Sequence, residues 1–168
     1  FAGEVVDSKD PRYASGDKVV LTGWRVGEIW WGGYAQYARV KADWLVPLPD
    51  GLTCQQAMAI GTAGITAMLS VLALERRGVA VEDGPILVTG AGGGVGSLAT
   101  AMLAAAGFEV VAVTGRPEVA SYLQTLGASK VVDRDSLMEG DSKPLMSEQW
   151  AGCIDSVGSQ MLARVLSQ

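Results

Sequence analysis

The chain has 168 residues, of which 49% are hydrophobic and 18% charged, a composition with ample core material that excludes intrinsic disorder. Thirteen Lys and Arg against eighteen Asp and Glu leave a net charge of −5 with no basic stripe, which argues against a reader of nucleic-acid backbone. Two cysteines, Cys54 and Cys153, and no histidine cannot assemble the usual zinc ligand sets, so no metal site is expected.

Residues 1–48 carry short β-like runs at 18–21, 37–40 and 44–46, separated by Gly, Asp and Pro, as in a small β-rich domain. Trp24, Trp30, Trp31 and Trp44 gather here with Tyr34 and Tyr37. Core filling is the simpler reading of such a cluster, and a ligand-facing role the alternative. After Pro47 and Pro49, Thr53 with Gln56 three residues on has capping-box spacing, and helices are predicted over 55–60 and 65–77 on either side of Gly61 to Gly64. The stretches 51–74 and 85–108 contain no charged residue. The second divides into a β-branched run, a glycine turn and an alanine-rich run, which reads as a buried strand and helix and not as a membrane span.

Beyond Gly84 strands and helices alternate: strand 86–89, helix 95–106, strand 109–114, helix 118–126, strand 130–132, a looser helix 138–148, strand 152–155 and helix 160–166. This alternation predicts an α/β fold, a doubly wound parallel sheet with right-handed crossovers. Two domains are expected, a β-rich part over 1–50 and, over 51–168, a helical connector followed by the front half of a Rossmann domain. Phe1 in place of an initiator methionine, and a last helix without a closing strand, read as an internal piece of a longer subunit. No signal-peptide pattern opens it, so a reducing cytoplasm is expected.

The strand at 86–89 runs directly into Gly90-Ala91-Gly92-Gly93-Gly94-Val95-Gly96 ahead of a helix. Glycines there let backbone approach a diphosphate and let the helix press on the strand, while free amides at the helix start attract the anion. The motif in this strand–turn–helix setting predicts dinucleotide binding. The next strand ends in Val113-Thr114-Gly115-Arg116 with no acid for adenosine ribose hydroxyls. Arg116 offers a planar fork, and Thr114 a hydroxyl, to a 2′-phosphate, so NADPH is expected over NADH; a solvated turn arginine is the plainer alternative. At the fourth strand, Asp155 either lines the cleft or caps the helix that follows.

Together with Trp31-Gly32-Gly33-Tyr34-Ala35, residues 40–46, residues 60–68 and the Thr114-Gly115-Arg116 triplet, this loop resembles the zinc-independent medium-chain dehydrogenase/reductase superfamily. Within it, the resemblance is to the NADPH-dependent acryloyl-CoA reductases and quinone oxidoreductase-like proteins. The pattern departs at Trp30, where a histidine is expected. The resemblance implies a homodimeric two-domain subunit with a chaperonin-10-like β domain and a Rossmann domain holding NADPH. It places the phosphates on Gly92, Gly93, Gly94 and Val95 and the 2′-phosphate on Thr114, Gly115 and Arg116. The implied reaction is reduction of the activated double bond of a CoA thioester, acryloyl-CoA; quinone reduction and a non-catalytic NADPH-binding module are the alternatives. Thr66 is a possible cofactor neighbour, and no residue is assigned a catalytic role.

Overall fold

In a computed structural model, residues 1–140 and 143–168 are described, and they divide into two compact units, Phe1–Thr62 and Ala63–Gln168. The first unit holds an antiparallel sheet of three short strands, β1 (Ala2–Glu4), β2 (Lys18–Val20) and β3 (Val46–Pro47), in that order. Ala2 pairs with Val20 and Val19 with Pro47, and Val19 and Leu21 are buried. The run at 37–40 forms no strand, and Ala42–Trp44 is a 3-10 turn. The tryptophans sit at the surface of this unit rather than filling a core. Trp24 stacks on Trp44 at 5.9 Å, Trp30 lies tilted at 5.4 Å, and the Lys41 ammonium covers both Trp30 and Trp44, while Trp31 is 94% exposed.

Thr53 and Gln56 close the capping box their spacing predicts: the Thr53 amide donates to Gln56 Oε1 at 2.9 Å and the Gln56 amide to Thr53 Oγ1 at 3.1 Å. They open helix α1 (Cys54–Arg76), which is broken at Gly61, where φ is 51° and ψ −157°. The interruption is therefore one residue and not the four anticipated. By length and composition α1 is apolar enough to cross a membrane, but the break leaves two stretches, neither reaching the roughly 20 residues a span needs.

The second unit is built on a four-stranded parallel sheet of β4 (Ile86–Val88), β5 (Val110–Thr114), β6 (Lys130–Asp133) and β7 (Gly152–Ile154), in the order β6-β5-β4-β7. Ile86 pairs with Val110 on one side and Gly152 on the other, and Val111 pairs with Lys130. Alternate residues serve opposite faces, as strand geometry requires. Ile86, Val88, Val110 and Ala112 pack with Ala67 and Val71 of α1 and with Ala99 and Leu103 of α2 (Gly94–Ala105). On the other face Leu87, Val111 and Val113 pack with Leu137, Met161 and Val165. Both faces of β4 and β5 are thus covered, and these two strands read as near-continuous apolar runs. The first-crossed strand lies centrally and the fourth beside it, so the chain reverses its winding between β4 and β7, the place where open α/β sheets take ligands.

Three further helices complete the unit, α3 (Ala120–Thr125), entered through the turn Pro117–Val119, α4 (Arg134–Met138) and α5 (Ser159–Leu166). The helix expected over 138–148 is α4 instead. Asp133 accepts hydrogen bonds from the amides of Asp135 and Ser136 and starts the helix early, and Gly140, at φ 84°, follows its end. Residues 143–149 are irregular; 141 and 142 lie outside the described residues.

Candidate functional site

The turn after β4 has a different physical reason for almost every glycine. Gly90 adopts φ 59°, a left-handed conformation that costs other residues about 1 kcal/mol or more. A Cβ on Gly96 would stand 2.5 Å from the Gly90 carbonyl oxygen and 2.6 Å from Ala91 Cα, so the helix crosses the turn in backbone contact. Gly93, in extended conformation, is the N-cap of α2, and the first intrahelical bond is the Ser97 amide to the Gly93 carbonyl at 2.9 Å. The amides of Gly94, Val95 and Gly96 precede that bond and have no acceptor within the helix. The Gly93 amide itself donates to the Gly90 carbonyl at 2.9 Å, so the amides without an intrahelical acceptor begin at Gly94.

Thr114 ends β5 with its hydroxyl oxygen accepting from the Arg116 amide at 3.1 Å, and this bond bends the chain toward the glycine turn. Arg116 Nη2 then donates to the Gly92 carbonyl. Gly115 leaves room for a second guanidinium: a Cβ there would stand 3.0 Å from Arg134 Cζ. Gly92, Gly93, Val113, Thr114, Gly115, Arg116, Arg134 and Met161 line one cleft of about 220 Å³ at the carboxyl edge of the sheet. Among the described residues no carboxylate lines it. Gly94 and Val95 belong to the same turn but start the helix beside the cleft.

Arg134 is a residue that sequence reasoning missed. It occupies the first turn of α4, the positive end of a helix dipole, where a cation gains nothing. It pairs with the neighbouring, exposed Asp135 at 3.1 Å, a contact of small value. A cation just past the carboxyl end of a parallel strand is the signal that could have found it.

Asp155 resolves into a third role, neither lining the cleft nor capping α5 directly. Its carboxylate accepts from the Thr89 hydroxyl and from the Val157 and Gly158 amides, the last at 2.8 Å. Ser156 returns a hydroxyl bond to the Thr89 carbonyl at 3.0 Å. The ends of β4 and β7 are thereby laced together at the reversal point. Cys153, two residues earlier in β7, has its thiol pushed up to about 12, first by burial and then by the Asp155 charge, so it is held neutral and unreactive.

The residues present fit a phosphorylated dinucleotide. The turn is a cradle that side chains at Gly92, Gly93 or Gly96 would fill, it opens on first-turn amides, and two guanidinium groups line the cleft beside it, a set of donors suited to phosphate oxygens.

No family model matches the chain. It is 66% identical over all 168 residues to the acrylyl-CoA reductase AcuI of Ruegeria pomeroyi, covering 51% of that protein. Escherichia coli YhdH, solved with NADPH bound, is 57% identical with a TM-score of 0.94; the match covers 100% of this chain and 51% of that one. Bacillus subtilis YhfP, solved with NAD bound, is 51% identical with a TM-score of 0.94, over 99% of this chain and 50% of that one. The chain thus spans about half the length of the relatives it matches. In its sheet order, its glycine turn and a likeness that runs along all of its own residues, the chain is similar to about half of these oxidoreductases.

Proposed function

We propose that this chain is the cofactor-gripping part of a zinc-independent, NADPH-dependent acryloyl-CoA reductase. In that reading residues 1–50 close the amino-terminal β domain, and 51–168 form the connector and the front half of the Rossmann domain. When bound, NADPH supplies the hydride that reduces the double bond of the acryloyl thioester to a propionyl thioester. The chain's own work is to bind and orient. Gly92, Gly93, Gly94 and Val95 form the bed of the diphosphate, with the first-turn amides of α2 as donors. Thr114 sets the bend, Gly115 admits Arg134, and Arg116 presents its fork to the 2′-phosphate. In this reading the whole protein is a cytoplasmic homodimer that takes a CoA thioester.

The observation that carries this reading is the end of β5. A guanidinium, not a carboxylate, reaches the glycine turn, and a second guanidinium stands across Gly115. Arg116→Ala is expected to weaken NADPH binding by about 1–3 kcal/mol, as for a lost charge-assisted contact, and to leave NADH nearly unchanged. Titration calorimetry with both cofactors checks it, and equal losses would refute the 2′-phosphate assignment. The NAD in the YhfP crystals gives the opposing reading, NADH use, its specific support, and the same titration separates the two. Substrate class is tested by NADPH oxidation in the full-length subunit with acryloyl-CoA, with a quinone, or with neither; the second outcome marks a quinone reductase and the third a binding module.

A further inference from the structure

Gly92 stands apart from the other glycines of the turn. Its backbone is not left-handed, so no conformational demand excludes a side chain. A Cβ there would meet side chains first. Its three nearest neighbours are all side-chain atoms, Arg116 Nη2 at 2.7 Å, Val119 Cγ2 at 3.1 Å and Thr114 Oγ1 at 3.4 Å. Gly96 is different, since its Cβ would strike the backbone of Gly90 and Ala91. What a side chain at Gly92 would displace first is the arginine, the freest of its three neighbours.

We propose that Gly92 is a specificity-determining position that acts through Arg116: its missing side chain is the berth in which the guanidinium docks. The proposal rests on the reading of Arg116 as the 2′-phosphate partner. The Gly92 carbonyl takes the Nη2 donor, and that one bond fixes the fork over the cleft while leaving the remaining N–H groups of the guanidinium for phosphate oxygens. An arginine without such a tether would have to give up rotamer freedom on binding, a cost that long side chains carry heavily. A single carbonyl therefore joins the loop assigned to the diphosphate with the side chain assigned to the 2′-phosphate. An alanine at position 92 keeps the loop and its amides but evicts the arginine.

The test is a binding cycle on the full-length subunit, with NADPH and NADH titrated by calorimetry into the unaltered protein, Gly92→Ala, Arg116→Ala and the double variant. Gly92→Ala is expected to weaken NADPH roughly tenfold and NADH less than about threefold, and the double variant should bind NADPH no worse than Arg116→Ala alone. Equal losses of NADPH and NADH in Gly92→Ala would mean that the position serves the diphosphate, and strictly additive losses in the double variant would mean that it acts independently of Arg116; either overturns the proposal. If Arg116→Ala leaves the preference between the cofactors untouched, the 2′-phosphate reading itself falls, and this proposal with it. The unliganded melting temperature shows whether Gly92→Ala folds. Should it not, Arg116→Lys poses the question without altering the loop, because it keeps the charge but lacks the fork that docks on Gly92. Loss of most of the discrimination supports the berth, and retention of the full discrimination overturns it.

Discussion

The two compact units use apolar residues in opposite ways. In Ala63–Gln168 the strands lie between helices, and Ile86, Leu87, Val88 and Val110 are wholly buried. In Phe1–Thr62 only Val19, Leu21 and Ala57 are buried hydrophobics, while Trp24, Trp30, Trp31, Tyr34 and Tyr37 stand exposed. The difference teaches that β-like residues form a strand where a neighbouring strand is there to pair with them, that covering layers then bury it, and that without a partner they stay a loop. Position 37–40 is the clearest instance.

This contrast can be broken by truncation. Leu87→Ala, in the central strand, is expected to cost about 3–4 kcal/mol through the cavity it leaves. Trp31→Ala, at 94% exposure, is expected to cost under about 0.5 kcal/mol despite the larger side chain removed. Urea denaturation of both variants checks the pair, and similar losses would mean that the first unit is packed more tightly than described. Next in size, Gly96→Ala forces a Cβ against backbone 2.5 Å away and is expected to cost about 2–3 kcal/mol and to weaken both cofactors alike, in contrast to Gly92→Ala. A pH-dependent effect concerns Cys153. Its folded thiol holds its proton well above the ordinary value of 9.0, so this residue leaves stability unchanged below about pH 9 and subtracts from it as the pH rises toward 12. Comparing Cys153→Ala with the unaltered protein from pH 8 to 11 should show a slope in the latter that the variant lacks.

The legible parts of the fold were those where local pattern and burial agree. The runs at 86–88, 110–114 and 152–154 are buried or nearly so on both faces and contain no competing signal. The glycine turn was legible because a strand and a helix flank it. The helix at 138–148 was misplaced because the cap that starts it, Asp133, belongs to the end of a strand, and a hydrophobic count does not register a cap. Arg134 escaped notice for another reason. It lies eighteen positions beyond Arg116 in the chain, and only the parallel register of β5 with β6, with Thr114 opposite Asp133, brings the two arginines to the same rim. Side-chain convergence of that kind is a property of sheet order, which spacing along one strand does not encode.

The lacing of Thr89, Asp155 and Ser156 has a consequence for how the cleft responds to strain. Two adjacent strands tied at their tips by hydroxyl and carboxylate bonds resist being parted at the carboxyl edge, so the start of the glycine turn is anchored to β7 as well as to its own strand. A nucleotide that pulled on the glycine turn would be pulling on the whole sheet. Loosening those ties, and not only removing the groups that touch the ligand, is therefore a route by which a distant substitution would blunt affinity while the fold survives.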